Sequence, residues 1–565
     1  VTPEQLKEAI RSAIGQLNMQ HGYAIEAPAR LVVERPKNRA HGDWSSNVAL
    51  QTAKKAGLNP RDLATEIAEV LAADEGIDTA EVAGRGFINI TLAAGAAGAL
   101  AADIVTAGDD YGRTKTLAGH IINMEFVSAN PTGPLHLGHT RWAALGDAIA
   151  RVLAAAGANV TAEYYINDAG AQMDVFADSV VARMLGRNVP AGGYPGGYVT
   201  EIAETIAAQD PELTAEVKAT AQVPESDPEE PAPAVIPDDV RARLRARAYE
   251  LQMADIRDTL ADFDVSFDVW FSEASLHNSN AVTEAVNRLR EQGHVYDEGG
   301  AVWLRTTEFG DDKDRVLIRA DGNPTYFAAD AAYYLDKKDR GFIEKIYLLG
   351  ADHHGYVGRL KAIAAAAGDD PEKNIEVLIG QLIKVNGAKL SKRAGNIIEL
   401  RDIINWLGRD AVRYSLARQP ADSPLTLDPE VLRSASNDNP VYYVQYAHAR
   451  SQSVARNAEA AGITTEAFDA STLAHATEAA LLAALADFPR VVAQAAELRE
   501  PHRVARYLES LAGTFHKWYD SCRVTPRAGE DIEPVHSSRL VLDLATATVL
   551  RNGLRLLGVS APERM

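Results

Sequence analysis

His136 and His139 stand three residues apart in SANPTGPLHLGHTR, residues 128–141, directly behind an apolar run and a turn stiffened by Pro131 and Pro134. Residues at i and i+3 share a helix face, so a helix beginning in LHLGH puts both imidazoles in its first turn. There they lie beside unpaired backbone donors and the positive end of the dipole, an anion site suited to a polyphosphate. Gly138 between them removes a side chain where a flat base or a ribose could approach the backbone. Two other arrangements compete on these residues alone: two core histidines packing a helix start, or a metal pair with Asp147 as a conceivable third ligand. A second candidate is the lysine pair Lys389 and Lys392, set with Ser391 between Gly387 and Gly395. Such a loop is either a solvated basic segment or a cationic clamp that stabilises charge on a leaving pyrophosphate.

The surrounding elements fit a site at the end of a parallel strand. GHIINMEFV, 119–127, is an apolar strand candidate; WAALGDAIARVLAAAG reads as a helix and VTAEYYI, 160–166, as a second strand. Strand, crossover helix, strand is the unit of a parallel sheet. Asn130 and Thr132 then fall at the carboxyl end of the first strand, where open parallel sheets bind ligands. The segments AVWLRTT, RVLIR, KIYLLG and IEVLIGQLIKV are expected to complete that sheet after an inserted middle region. Ahead of it, a periodic helix from Pro3 to Leu17, another from Pro60 to Ala73 and the strand GFINITL at 86–92 form a small α/β unit. From about Asn437 onward, alanine, leucine and arginine recur at helical spacing, predicting an all-helical domain.

The middle region carries PESDPEEPAPAVIPDD, 224–239, a proline-rich acidic run that reads as a solvated linker or loop tip. Arg241, Arg243, Arg245 and Arg247 follow at every second position, a spacing that spreads them around a helix and predicts a solvated surface. The chain has 565 residues, 57 basic and 78 acidic side chains and a formal charge of -21. That argues against a generic nucleic-acid coat but leaves room for a locally basic groove. The single cysteine, Cys522, can form no internal disulfide and no cysteine metal site. No segment resembles a secretory signal, and the alanine-rich stretches are read as too interrupted by charge to span a bilayer, so a soluble cytoplasmic protein is expected.

HLGH resembles the HIGH signature of the class I aminoacyl-tRNA synthetases, with leucine in second place, and KLSKR, 389–393, resembles their KMSKS loop. MEFVSANPTGPLHLGHTR is more specifically similar to the arginyl-tRNA synthetase family. The resemblance covers essentially the whole chain. It implies an α/β fold in four parts: an additional domain at 1–112, a Rossmann-like parallel-sheet catalytic core at 113–400 with an insertion near 187–250, a connecting helical segment at 401–436, and a helical anticodon-binding domain at 437–565. It implies ATP contacts at His136, Gly138, His139, Gln381, Lys389, Ser391 and Lys392, with His136, His139, Lys389 and Lys392 catalytic.

The same resemblance assigns arginine to Glu125 and Asn130, to Tyr326 and Asp330 in PTYFAADAAYY, and to Asp352 and His353 in YLLGADHHGY. Carboxylates in fork geometry suit a guanidinium. Read alone, Tyr326 could be a core aromatic, whereas Asp330 in an apolar run is harder to explain by packing. Asn167, Asp168, Gly170 and Gln172 in YYINDAGAQM, with His354, are expected near the cleft, although a turn and cap explain the first two equally well.

The implied partners are L-arginine, ATP with Mg²⁺ and tRNA(Arg), with no structural zinc, no membrane and a monomeric enzyme. tRNA contacts fall on Asn47 in HGDWSSNVAL, on Tyr443, His448 and Arg450 in NPVYYVQYAHAR, and on Met565; aromatics beside a cation suit unstacked bases. The implied reaction forms arginyl-adenylate and passes arginine to the 2′-hydroxyl of the terminal adenosine. The competing readings are a class I synthetase for another amino acid and a noncatalytic tRNA-binding protein.

Overall fold

The computed structural model describes residues 3–28, 31–36, 41–225, 231–353, 355–386 and 398–565. The amino-terminal unit packs the helices Pro3–His21 and Pro60–Leu71 on an antiparallel four-stranded sheet, Val33–Glu34, Trp44–Ser46, Phe87–Leu92 and Ile77–Ala83 in spatial order. The second helix starts where Asn59 Oδ1 accepts the Arg61 N–H and Pro60, with no N–H to satisfy, fills the first position. Trp44 is fully buried in this core with the Arg35 guanidinium 3.7 Å above its ring.

Five parallel strands form the central sheet: β1 (Ile121–Glu125), β2 (Asn159–Ile166), β3 (Val269–Ser272), β4 (Glu344–Gly350) and β5 (Ile375–Gly380), in the order β5-β4-β1-β2-β3. The chain steps outward from β1 to β3 and returns to the other side of β1, so strand order reverses between β1 and β4. Crevices at such switch points are where open α/β sheets take ligands. Helix α1 (Leu137–Ala155) connects β1 to β2. A Cβ on its Gly146 would come within 2.3 Å of the Phe126 ring, so only glycine lets α1 lie this close to the end of β1.

Two of the expected strands belong elsewhere. Ala301–Leu304 and Arg315–Ile318, the strands of AVWLRTT and RVLIR, pair antiparallel with each other, and Val295–Glu298 completes a separate three-stranded sheet. IEVLIGQLIKV is split: Ile375–Gly380 is β5, while Ile383–Val385 pairs in parallel with Leu425–Leu427. Four-residue strands show their propensity in sequence but not their partner, which decides the sheet.

The insertion builds a core of its own. Helices α2 (Gln172–Met184), Gly197–Gln209, Pro211–Thr220 and α3 (Asp238–Asp262) bury Phe176, Val199, Ile206, Val217 and Leu244 against one another. The described end of the proline-rich run, 231–239, packs into it: Ala234 and Ile236 are buried, and Gln222 and Val235 exchange backbone hydrogen bonds. The alternate arginines of α3 lie on a solvated surface, as their spacing predicts, and each is paired there. Arg241 and Arg245 pair with Asp178 and Asp174 of α2 at 2.5 and 2.9 Å, while Arg243 reaches Glu216 at 2.6 Å and Arg247 reaches Glu250 at 2.7 Å. A spacing of two puts alternate members on opposite sides of a helix, and the acidic neighbours on both sides use it.

Helix α4 (Tyr326–Asp339) covers one face of the sheet beside β1 and β4, and α5 (Pro440–Ala460) opens the helical carboxyl-terminal bundle. The bundle stretch Ala476–Glu497 is long and apolar enough to cross a membrane, which the sequence reading did not anticipate. Here it is two helices, Ala476–Ala486 and Phe488–Glu497, the second with proline in its first turn, and Leu481, Leu485, Phe488 and Val492 are buried in the bundle.

Candidate active site

Strand β1 ends in Glu125, and the chain turns at once: Val127 and Ser128 adopt φ of 68° and 42°. Left-handed backbone at two successive non-glycine residues, one of them β-branched, is strained. It is held by Ser128, whose N–H donates to the Phe126 carbonyl at 2.9 Å and whose Oγ accepts the Tyr165 N–H at 3.1 Å. The turn delivers LHLGH to the carboxyl edge of the sheet.

His136 is the N-cap of α1, so the helix begins within LHLGH, five residues ahead of the WAALGDAIARVLAAAG stretch read as helical. Its Nδ1 accepts the Gly138 N–H at 3.0 Å, and the Nδ1 of His139 accepts the His136 N–H at 3.3 Å. A backbone N–H can only donate, so both Nδ1 atoms are acceptors and each neutral ring carries its proton on Nε2. Burial lowers the pKa of His136; burial and the neighbouring His136 lower that of His139 to about 3. The rings, 4.0 Å apart between centroids, therefore form a pair of neutral Nε2–H donors rather than a dication. Gly138 has a more immediate reason than ligand access, since a Cβ there would lie 2.8 Å from the His136 ring.

Both flanks of the KLSKR segment are tied to this turn. On one side, the buried Arg141 guanidinium donates to the carbonyls of Gln381, Ser423 and Pro420 at 2.7, 2.8 and 2.7 Å. On the other, Leu137 N–H donates to Ile398 O at 2.9 Å and Leu400 N–H to Leu135 O at 2.8 Å. Gln381 takes part through its backbone, its N–H donating to Ala421 O. Lys389, Ser391 and Lys392 lie outside the described residues.

The insertion closes over the histidines. Tyr198 OH donates to the Thr132 carbonyl at 2.8 Å. A cavity of about 880 Å³ is lined by Asn130, His136 and His139 on one side and by Tyr198, Gln252 and Asp255 of the insertion on the other. Tyr198, Gln252 and Asp255 were not singled out in the sequence. The alternation of turn glycines with Tyr194 and Tyr198 in GGYPGGY was the only available signal.

On the opposite side of β1, acidic side chains gather. Glu125 is in register with Glu163 on β2 and with Tyr347 on β4, so the three share one face of the sheet. Helix α4 lies over them, presenting Asp330, Tyr333, Lys337 and Arg340 at helical spacing. Arg340 forks onto Glu163 at 2.6 and 2.9 Å, and Tyr333 OH and Asn123 Nδ2 also donate to Glu163 at 2.5 and 2.9 Å. Lys337 Nζ donates to Glu125 Oε2 at 2.7 Å; among the described residues Glu125 Oε1 has only the Ser128 hydroxyl, at 3.4 Å. Asp330 Oδ2 is sealed from solvent without a hydrogen-bond partner among the described residues. Burial, Glu125 and Glu273 together push its carboxyl up to about 7, against the pull of Arg359.

Glu273, just beyond β3, was missed in the sequence. Burial raises its pKa too, opposed by His277 and a hydrogen bond from Tyr165. Glu125 and Glu273 both disfavour charge on Asp330, and a cluster of that sign makes a place for a cation. The signal for Glu273 was an acidic residue directly after a short apolar run, but the strand Val269–Ser272 was not recognised.

Tyr326 opens α4 and is 63% exposed, so it is no core aromatic. Asn130 is exposed and donates to Gln172 Oε1 at 3.2 Å, and Gln172 Nε2 donates to the Asn167 carbonyl at 3.0 Å; Gly170 packs beside that amide. Asp168 is a long-range brace rather than a cap of α2, whose N-cap is Ala171: its Oδ1 accepts the Ala274 N–H at 2.8 Å and its Oδ2 the Ser272 hydroxyl at 2.6 Å. Asp352 and His353 lie in a turn after β4, with the His353 ring 6.1 Å from Tyr356; His354 is outside the described residues.

In the carboxyl-terminal bundle, Arg450 stacks on Tyr446 and Tyr519 at 4.7 Å each and donates to Tyr446 OH at 2.8 Å. Tyr443 meets His516 edge-on at 5.2 Å, and burial with Arg450 lowers the His516 pKa to about 4. Met565 is exposed. His448 departs from the expected RNA-facing role: it is 2% exposed, and its Nδ1 lies 2.9 Å from the Pro562 carbonyl, anchoring the chain end. Asn47 stands at the start of the helix Val48–Thr52 without capping it, its Oδ1 buried and unbonded.

Three family models match in chain order: the arginyl tRNA synthetase N terminal domain at residues 4–92, the class I (R) tRNA synthetase catalytic domain at 102–419, and the DALR anticodon binding domain at 444–565. The chain is 66% identical to the arginine–tRNA ligase of Micrococcus luteus, over 95% of this chain and 94% of that protein. It is 62% identical to that of Paenarthrobacter aurescens over the full length of both. The arginyl-tRNA synthetase structure of Thermus thermophilus has the same fold, with a TM-score of 0.71 at 24% identity and both chains fully covered. A methionyl-tRNA synthetase of Mycobacterium tuberculosis matches with a TM-score of 0.52 at 15% identity, over 78% of this chain and 92% of that one.

Proposed function

The chain belongs to the class I arginyl-tRNA synthetases and joins arginine to tRNA, and from that premise we propose which residues do the work. Glu125, Asp330 and Glu273 form the arginine pocket, with Tyr326 and Asn130 at its mouth and Asp352 and His353 beside it. The observation that carries this is the Asp330 carboxylate, buried with an unbonded oxygen among like charges. Such a group is costly until a cation arrives.

ATP lies across the start of α1. The two Nε2–H donors meet its phosphates at the positive end of α1, and neutral donors do so without a charge that must be desolvated. Mg²⁺ enters with ATP as part of that substrate. Lys389 and Lys392, with Ser391, take up charge on the leaving pyrophosphate, and the tethers through Arg141 and Leu135–Leu137 keep their loop in register with the histidines. The arginine carboxylate attacks the α-phosphate; the terminal adenosine 2′-hydroxyl then attacks the arginyl carbonyl and AMP leaves. Catalysis here is placement and charge stabilisation.

The amino-terminal unit, 1–112, meets the tRNA elbow near Asn47. The bundle from 437 meets the anticodon through Tyr443 and Arg450, and Met565 lies on the same domain. The enzyme works as a cytoplasmic monomer. Arginine-dependent ATP–pyrophosphate exchange, with and without tRNA, tests the reading in one assay. Lys389→Ala should depress adenylation while tRNA binding holds; an unchanged single-turnover rate would reject its role.

A further inference from the structure

Lys337 is 0% exposed, lies one helical turn beyond Tyr333 and faces the sheet, a position normally filled by an apolar side chain. Its ammonium is held on three sides. Nζ donates to Glu125 Oε2 at 2.7 Å and lies 4.2 and 4.1 Å from the ring centroids of Tyr333 and Tyr347. Buried cations over aromatic faces keep their charge at lower cost than in an apolar site. The neighbouring Glu163 has its two oxygens engaged by Arg340, Tyr333 and Asn123, as a structural ion pair should. Glu125 has one short bond, from Lys337, and a long 3.4 Å contact from the Ser128 hydroxyl on its other oxygen, and it is the carboxylate beside Asp330.

We propose that Lys337 is a positioning residue for arginine selection: by holding Oε2 it fixes Glu125 in one orientation, with Oε1 turned to accept from the substrate cation. The inference rests on the reading of Glu125 and Asp330 as the arginine pocket. Without a fixed cation, a buried carboxylate next to a second one takes up a proton and becomes a poorer acceptor. The groups facing Glu125 are Lys337, Asp330 and Tyr333 on α4, Tyr165 and Glu163 on β2 and Tyr347 on β4. Glu273 and Arg359 act through Asp330. Lys337 is the cation that bonds Glu125 directly.

The test is Lys337→Met in the full-length enzyme, followed by ATP–pyrophosphate exchange with tRNA present between pH 6.5 and 9. A lost fixed cation predicts that the arginine KM rises at least about tenfold at pH 7 and recovers toward wild type as pH increases, while the ATP KM stays within about twofold. A merely structural lysine would lower the melting point and kcat without that pH-dependent split. An arginine KM that is unchanged, or raised equally at every pH, overturns the proposal. Glu125→Gln run in parallel separates the two readings. If it too leaves the arginine KM unchanged, the pocket assignment is at fault; if it alone raises KM, only the role of Lys337 falls. Should Lys337→Met not fold, Lys337→Gln, which keeps a donor toward Oε2 without the charge, carries the same expectations.

Discussion

On one face of the central sheet Glu163 and Glu125 are register partners, each met by a cation from α4, yet they are built differently. Arg340 closes a fork on Glu163, and a phenol and an amide complete its shell. Lys337 offers Glu125 one bond, and the second oxygen faces the strained turn at Val127 and Ser128. A carboxylate with its bonds complete is fastening; one left a bond short beside two more carboxylates is a receptor. Burial and charge pairing, taken alone, do not separate them.

The largest expected effect breaks the fastened pair. Burial pushes the Glu163 carboxyl up, and hydrogen bonding and charge from Arg340, with Lys337 and Tyr333, more than offset it, so its pKa is lowered. Its stabilisation is therefore present above the unfolded carboxylate pKa and is lost as pH falls through the lower folded value. Glu163→Gln should cost about 3 kcal/mol, the low end for a broken buried pair because Arg340 is 29% exposed and can turn to water. Thermal unfolding of the intact chain reads this, and the loss should shrink on acidification. In protein that is still folded, the arginine KM should move little.

Glu125→Gln should invert that pattern. It removes a charge-assisted acceptor from the substrate cation, worth on the order of 100-fold in kcat/KM for arginine. It also strands Lys337. The double variant with Lys337→Met should regain stability, because a buried ion pair exchanged for a neutral pair is near neutral in energy. Arginine turnover should not return. Recovery of turnover in the double variant would show that Glu125 is fastening after all.

The sequence made the first half of this contrast invisible and the second half partly visible. Asp330 was recognisable because an acidic residue in an apolar run needs a reason, Glu125 was reached through the family resemblance of its stretch, and the spacing of His136 and His139 fitted a helix start that the structure places at His136. Glu163, Lys337 and Glu273 were not recognised. Their meaning depends on which strands are neighbours, and periodicity along a chain does not contain that information. The same gap misassigned Ala301–Leu304 and Arg315–Ile318 to the parallel sheet. His448 failed in the opposite direction: it shares its helix and its spacing with the aromatic cluster, and only the path of residues 560–565 buries it.

Asp330 sharpens the comparison through its sign. Its folded pKa of about 7 lies above the unfolded value, so ionisation costs stability as pH rises from about 4 toward 7. Arginine, a cation, favours the ionised form. Its affinity should improve about tenfold between pH 6 and 8, the range over which a group of that pKa passes from about one-tenth to nine-tenths ionised. The arginine KM in pyrophosphate exchange measures this. Asp330→Asn should weaken arginine and flatten the profile, whereas the profile in Glu163→Gln should keep its slope.

The smallest effect belongs to an ion pair that resembles both in distance and neither in surroundings. Arg245 and Asp174 meet at 2.9 Å between α3 and α2, but their side chains are 46% and 50% exposed. In water the Coulomb gain is screened and two long side chains must be held still, so such pairs contribute between about 0 and 1 kcal/mol. Arg245→Ala should therefore shift the melting temperature by no more than a degree or two, roughly the size effect expected for a chain this long, and added salt should erase the difference. The arginine KM should be unaffected. A loss as large as that of Glu163→Gln would mean that contact distance, not the completeness of a buried shell, ranks the charges of this fold, and the distinction between Glu163 and Glu125 would lose its physical basis.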